Sequence, residues 1–193
     1  MAAELVAKVR ARGGVVVLPT ETFYGLGADP SAPEAVERLL ALKGRPADLG
    51  LPVLCADWDQ VEALVAVPDR WRETLEGLWP GPLTAILPAR GSPASGAGAT
   101  LAVRVPGLDM LRRLLAAVGP LTGTSANRHG LPAVSDVEAA LASILGPPDG
   151  VLDGGRTPGG MATTLVDLTS AEARVVRQGG TPWTSSRSVS RFD

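Results

Sequence analysis

The chain has 193 residues, with 18 basic and 20 acidic side chains and a formal net charge of −2. That balance excludes a globally basic nucleic-acid binder but not a local basic patch, since a field depends on where charges sit. Hydrophobic residues make up 45%, which excludes a disordered chain, and the length suits one domain with a self-sufficient core. No apolar run reaches the length of a membrane span, and the first fourteen residues lack the apolar centre of a signal peptide. One cysteine and one histidine exclude an internal disulfide and any Cys/His metal cluster. A lone thiol suits a reducing compartment, so a cytoplasmic protein without a membrane partner is expected.

Residues 1–14 predict a short amphipathic helix with Leu5, Val6 and Val9 on one face. Val15-Val16-Val17-Leu18 is a continuous β-branched and apolar run, the pattern of a buried strand, and Pro19 should end it because proline cannot donate to a ladder. Thr20, Glu21 and Thr22 follow at once, then Phe23, Tyr24 and glycines at 25 and 27. Ligands in α/β sheets sit at strand ends, so this cluster reads as a binding site. The same threonines would equally serve to cap a local turn.

Ser31-Ala32-Pro33-Glu34 has the form of a capping box with Pro33 in the first turn. The helix it opens carries Val36, Leu39, Leu40 and Lys43 at helical spacing and stops at Gly44. Lys43 at a helix end can complement the dipole; Arg45, beyond the helix, is less well explained that way. Two cations beside a strand-end pocket would neutralise a polyphosphate. Residues 51–55 predict a strand, with Pro52 marking an edge or bulge. Helices should begin at Asp57 and at Pro68-Asp69, the second running to Trp79, and Trp58, Trp71 and Trp79 read as packing residues.

After a Pro80-Gly81-Pro82 turn, strands are expected at 83–87 and 100–105, separated by a small flexible loop at 91–99. Arg104 lies in an otherwise apolar strand, where it needs either an anion or a solvent-facing side. A helix at 108–118 and a short strand at 121–123 lead to Thr124-Ser125-Ala126-Asn127, a second strand-end cluster of hydroxyl and amide groups. His129 reads as a surface residue and Ser135-Asp136-Val137-Glu138 as another capping box. The glycine- and proline-rich stretch 146–160 lacks the Gly-Lys-Ser/Thr ending of a Walker loop. Strands at 162–168 and 173–177 should form a hairpin. The domain is expected to span 1–180, with 181–193 a loose tail.

Five segments together are diagnostic. Pro19-Thr20-Glu21-Thr22-Phe23-Tyr24-Gly25-Leu26-Gly27-Ala28-Asp29-Pro30, Lys43-Gly44-Arg45-Pro46, Pro80-Gly81-Pro82-Leu83-Thr84, Val103-Arg104-Val105-Pro106 and Thr124-Ser125-Ala126-Asn127 resemble, in order, the motifs of the YrdC family, which includes the bacterial threonylcarbamoyl-AMP synthases. The resemblance covers roughly residues 13 to 178. It implies an α/β (α+β-like) fold, a single YrdC-like domain with a twisted mixed β-sheet flanked by helices. It further implies condensation of L-threonine, bicarbonate and ATP into L-threonylcarbamoyladenylate with release of pyrophosphate. Other proteins would then transfer the threonylcarbamoyl group to tRNA.

By motif position, Thr22, Arg104, Ser125 and Thr163 would contact L-threonine. Arg45, Thr100, Asn127, Ser135 and Arg177 would contact ATP, with Lys43 and Arg45 as the catalytic cations and Mg²⁺ arriving with the nucleotide. tRNA or double-stranded RNA and downstream threonylcarbamoyl transferase proteins are the implied macromolecular partners. Two positions depart from the family pattern: Leu49 stands where many members carry a second cation, and Leu54 where many carry a histidine. These departures keep open a non-catalytic RNA-binding or ribosome-associated paralogue. A carbamoyl-adenylate enzyme for another substrate ranks last, because the extra domains expected of the long carbamoyl-transfer proteins are missing from the sequence.

Overall fold

The computed structural model describes residues 1–46, 50–92, 94–96 and 98–183. The elements are α1 (Ala2–Arg10), β1 (Val16–Pro19), β2 (Tyr24–Gly27), α2 (Pro33–Lys43), β3 (Val53–Leu54), α3 (Trp58–Leu64), α4 (Asp69–Glu76) and β4 (Leu83–Pro88). They continue with β5 (Thr100–Arg104), α5 (Asp109–Val118), β6 (Leu121–Thr122), β7 (Thr124–Ser125), α6 (Val137–Ser143), β8 (Gly150–Val151), β9 (Thr164–Asp167) and β10 (Arg174–Arg177). The α/β class expected from the sequence is observed, but the strands form two mixed sheets rather than one. Their orders are β7-β2-β1-β8 and β10-β9-β4-β5-β3-β6.

The apolar run before Pro19 is buried on both sides, which is why it does not alternate. Val15 and Val17 join a core with α2 and α6, through Val36, Leu39, Leu40 and Ala140. Val16 and Leu18 face the opposite way, against Val6 and Val9 of α1 and Leu111, Leu114 and Leu115 of α5. Leu5 leaves the predicted apolar stripe of α1 and is exposed. A third core fills one face of the six-stranded sheet, where Leu83, Ala85, Leu87, Leu101, Val103 and Val166 meet Val61, Leu75 and Trp79. The tryptophans pack as expected: Trp58 and Trp79 rings lie 5.4 Å apart, and Trp79 Nε1 donates to Leu83 O at 2.8 Å.

Several local expectations are corrected. Ser31 does not cap α2; Ala32 holds that position without a side-chain bond, and the Ser31 hydroxyl donates to Asp29 Oδ1 at 2.6 Å. At α6 the cap is Asp136, which accepts from Ala139 N at 2.8 Å, one residue beyond the expected Ser135. Pro52 marks no edge: β3 is interior, parallel to β5 and antiparallel to β6. The loop at 91–99 is anchored at Ser95, whose backbone joins Pro30 and Leu51.

Candidate active site

Pleating of the six-stranded sheet turns Leu101 and Val103 into the core, so Thr100, Ala102 and Arg104 must face the other way. The neighbouring strands follow the same alternation, with Thr84 and Ile86 on β4 and Leu165 on β9 beside them. This face forms one wall of a cavity of about 560 Å³. The opposite wall comes from the four-stranded sheet and its strand ends, through Thr20, Thr22, Phe23, Gly25, Thr124 and Ser125. Gly25 lets the strands close up there: a Cβ on it would lie 3.2 Å from Thr124 O.

Both sequence readings of the first strand-end cluster apply, to different residues. Thr20 builds the turn, its hydroxyl accepting from Thr22 N at 3.1 Å and donating to Phe23 O at 2.7 Å. Thr22 lines the cavity and reaches Thr20 Oγ1 at 3.1 Å. Glu21, between them, turns away to form an ion pair with Arg104 Nη2. The solvent-facing reading of Arg104 is thereby excluded, since the residue is 5% exposed and lines the cavity. Burial pulls the guanidinium below its ordinary pKa, and Glu21 opposes that shift.

The cations meet because of how α2 ends. Left-handed Gly44 stops the helix, with Gly44 N bonded to Ala41 O and Arg45 N to Leu40 O, both at 3.1 Å, a Schellman closure. The Lys43 side chain is buried and reaches the turn after β7, donating to Ser125 O at 2.7 Å, Asn127 O at 3.0 Å and Asn127 Oδ1 at 3.1 Å. Burial first, then repulsion from Arg45, lowers its pKa to about 8. Arg45 donates to Gly50 O at 2.9 Å, and its own pKa is lowered by burial and by the charge of Arg177. Arg177 bonds Thr163 O through Nε and Nη2 at 3.2 and 3.0 Å. Lys43, Arg45 and Arg177 are thus one cationic group, distinct from the Arg104–Glu21 pair.

Of the residues singled out by motif, Thr22, Lys43, Arg45, Thr100, Arg104, Ser125, Asn127, Thr163 and Arg177 all line this one cavity. Ser135 is not among its lining residues; its carbonyl instead accepts from Thr157 N at 2.8 Å. Asn127 lines the cavity, yet its amide is committed to the protein, with Nδ2 donating to Arg128 O and Leu131 O. Leu54, 1% exposed, occupies the wall and packs over Gly123, where any Cβ would collide with it. Leu49 lies outside the described residues.

Sequence reasoning missed Phe23, Thr84, Ser95 and His129 as lining residues. His129, expected to be merely on the surface, is exposed at the rim, where its backbone N bonds Lys43 O at 2.7 Å. Its place two residues after Asn127 was the available signal. Thr84 could have been found by strand alternation, and its hydroxyl lies 3.1 Å from that of Thr163. Nothing local marks Ser95, which is carried in by a loop.

Among the described residues, those lining the cavity include three clustered cations and several hydroxyls but no carboxylate. No group of three or more His, Cys, Asp or Glu that could hold a metal occurs among the described residues. The cavity therefore suits an anion, and a metal ion would have to bring its own anionic ligands.

A family model for Sua5/YciO/YrdC proteins, described as "Telomere recombination", matches residues 8–179. This chain belongs to the Sua5/YciO/YrdC family. Within that family it is 39% identical over 175 residues to a threonylcarbamoyl-AMP synthase of Stutzerimonas stutzeri, covering 86% of this chain and 92% of that protein. It is 41% identical to the threonylcarbamoyl-AMP synthase of Pseudomonas aeruginosa, covering 81% and 89%. Among solved structures it superposes on Pyrococcus abyssi Sua5 complexed with L-threonine, with a TM-score of 0.87 at 34% identity. That match covers 93% of this chain and 54% of Sua5, so the chain spans about half of the archaeal protein. Escherichia coli YciO matches with a TM-score of 0.83 at 27% identity, covering 92% and 88%.

Proposed function

We propose that this chain is an L-threonylcarbamoyladenylate synthase, a nucleotidyltransferase that condenses L-threonine, bicarbonate and ATP and releases pyrophosphate. Its relatives at about 40% identity carry the name threonylcarbamoyl-AMP synthase, and the fold is shared with a Sua5 complexed with L-threonine. The observation that carries the reading is the division of charge in one cavity. A buried arginine would serve an amino-acid carboxylate, while a separate cationic cluster, Arg45 and Arg177 beside Lys43, would serve a triphosphate.

In chemical terms the threonine nitrogen joins the bicarbonate carbon to form a carbamate, with loss of water. A carbamate oxygen then attacks the α-phosphorus, and the bond to the bridging oxygen breaks as pyrophosphate leaves. Such a transfer asks a protein for positioning and charge neutralisation more than for a covalent partner. Arg104, Thr22, Ser125 and Thr163 would orient threonine. Arg45 and Arg177 would meet the phosphates, with Thr100 and Asn127 on the nucleotide side; Ser135, outside the lining, is left without that role. Lys43, spent on the turn at Ser125 and Asn127, would act by holding that turn in place. Mg²⁺ would be held chiefly by the triphosphate, because the described lining residues offer it no carboxylate.

The product would pass to a threonylcarbamoyl transferase that modifies tRNA in the cytoplasm. The deciding experiment is pyrophosphate release from ATP and Mg²⁺ with L-threonine and bicarbonate added singly and together. Release only with both is expected. Release that ignores threonine would overturn the reading, and RNA binding that weakens steeply with salt would favour the paralogue instead.

A further inference from the structure

Arg104 sits where three loops converge, and none of its bonds to them is supplied by its own strand. Its Nε donates to Gly81 O at 3.1 Å, in the turn before β4. Its Nη2 is paired with Glu21 Oε1, in the connection between β1 and β2. Glu21 Oε1 is in turn fixed by Gly107 N, which donates to it at 2.6 Å from the turn after β5. Gly107 must be close for this: a Cβ there would lie 3.4 Å from Oε1 and 3.6 Å from the Glu21 Cγ. Glu21 is not among the lining residues, whereas Arg104 and Thr22 both are.

Resting on the synthase reading, we propose that Glu21 is a positioning residue for threonine, holding the guanidinium of Arg104 so that its remaining nitrogen, Nη1, meets the amino-acid carboxylate. Nε and Nη2 form one edge of the guanidinium, and that edge is committed to Gly81 O and Glu21. Nη2 is itself buried, so a carboxylate would be left Nη1, held in a single orientation. Glu21 also spans the two sheets, tying the β1–β2 connection to β5. Because Thr22 is the next residue, one carboxylate sets the distance between the arginine and the hydroxyl expected on the same ligand. A buried arginine without this partner would lose both its compensation and its direction.

The test is a steady-state comparison of Glu21→Gln, Glu21→Asp, Arg104→Gln and Glu21→Gln/Arg104→Gln with wild type, reading KM for L-threonine and ATP separately, kcat and thermal midpoint. Glu21→Gln should raise the threonine KM at least about tenfold, as loss of a charge-assisted contact does, and leave the ATP KM within about twofold. Glu21→Asp keeps the charge and with it the fold, but falls a methylene short; it should show the same split more weakly. In the Arg104→Gln background, Glu21→Gln should add nothing further to the threonine KM, because its effect runs through Arg104. A threonine KM unchanged in both Glu21 variants would overturn the proposal. So would threonine and ATP values that shift together with the thermal midpoint, the mark of a merely structural role. Wild type is read first. If it shows no threonine-dependent pyrophosphate release, the synthase reading itself fails and the proposal falls with it.

Discussion

On β5, Leu101 and Val103 point into a dry core, while Thr100, Ala102 and Arg104 point into the cavity. The backbone and ladder are the same for both sets. What differs is how each face is stabilised. On the dry face, each large side chain contributes about 1.5–3 kcal/mol by leaving water, and its neighbours need only fit. On the cavity face burial is a cost, since a desolvated guanidinium is unfavourable until an anion answers it. The structure places Glu21 there, from the other sheet. One face is governed by volume and the other by partners, so substitutions on the two should fail in different ways.

The largest effect is expected for Arg104→Ala, which leaves Glu21 partly buried without its cation. Breaking such a pair costs about 3–5 kcal/mol, and chemical denaturation should show it alongside lost threonine binding. Arg104→Lys should keep more stability but still lose threonine affinity, because the planar fork is gone. An Arg104→Ala protein as stable as wild type would erase the distinction between the faces.

Leu101→Ala comes next, on the dry face, with a loss of about 2–5 kcal/mol from burial and cavity together. Unlike the arginine variants, its folded fraction should bind threonine and ATP as wild type does. Calorimetry on that fraction checks the contrast. Arg45→Ala should give the reverse pattern: ATP affinity reduced by about 1.5–3 kcal/mol, one to two decades, with little change in threonine affinity. Unchanged ATP binding would remove Arg45 from the phosphate group.

A pH series sharpens the comparison at Lys43. Its pKa is lowered to about 8 in the folded protein, against 10.5 ordinarily. As pH rises through 8, the folded form gives up the proton that Ser125 and Asn127 share, so ATP affinity should fall. Stability should move oppositely. Between about 8 and 10.5 the unfolded chain holds more of this proton than the folded one, so the Lys43 contribution to folding increases with pH. Lys43→Met should flatten both trends; ATP binding indifferent to pH from 7 to 9.5 in wild type would count against this role. The smallest effect is expected at Thr84→Val, which removes one side of the Thr84–Thr163 contact for about 0.5–1.5 kcal/mol.

Much of this was legible along the chain because the signals are local. An unbroken apolar run predicted β1, and the structure buries it on both faces. The end of α2 was readable because glycine alone takes the left-handed conformation at no steric cost, and it delivered Lys43 and Arg45 to the cavity. The capping boxes failed for an equally physical reason. Ser31 had a competing acceptor in Asp29, and at α6 two adjacent polar residues could have taken the cap.

The sequence by itself determined which residues alternate, where helices stop and which polar groups stand at strand ends, since these follow from backbone geometry and near neighbours. It could place Arg104 on one face of a strand but not say what covers that face. Only the tertiary structure decided that, by setting Glu21 against Arg104 from 83 positions away and by packing Ser95 and His129 at the cavity. A buried charge survives only where a partner meets it, and the meeting of two loops from different sheets leaves no periodic mark on the chain.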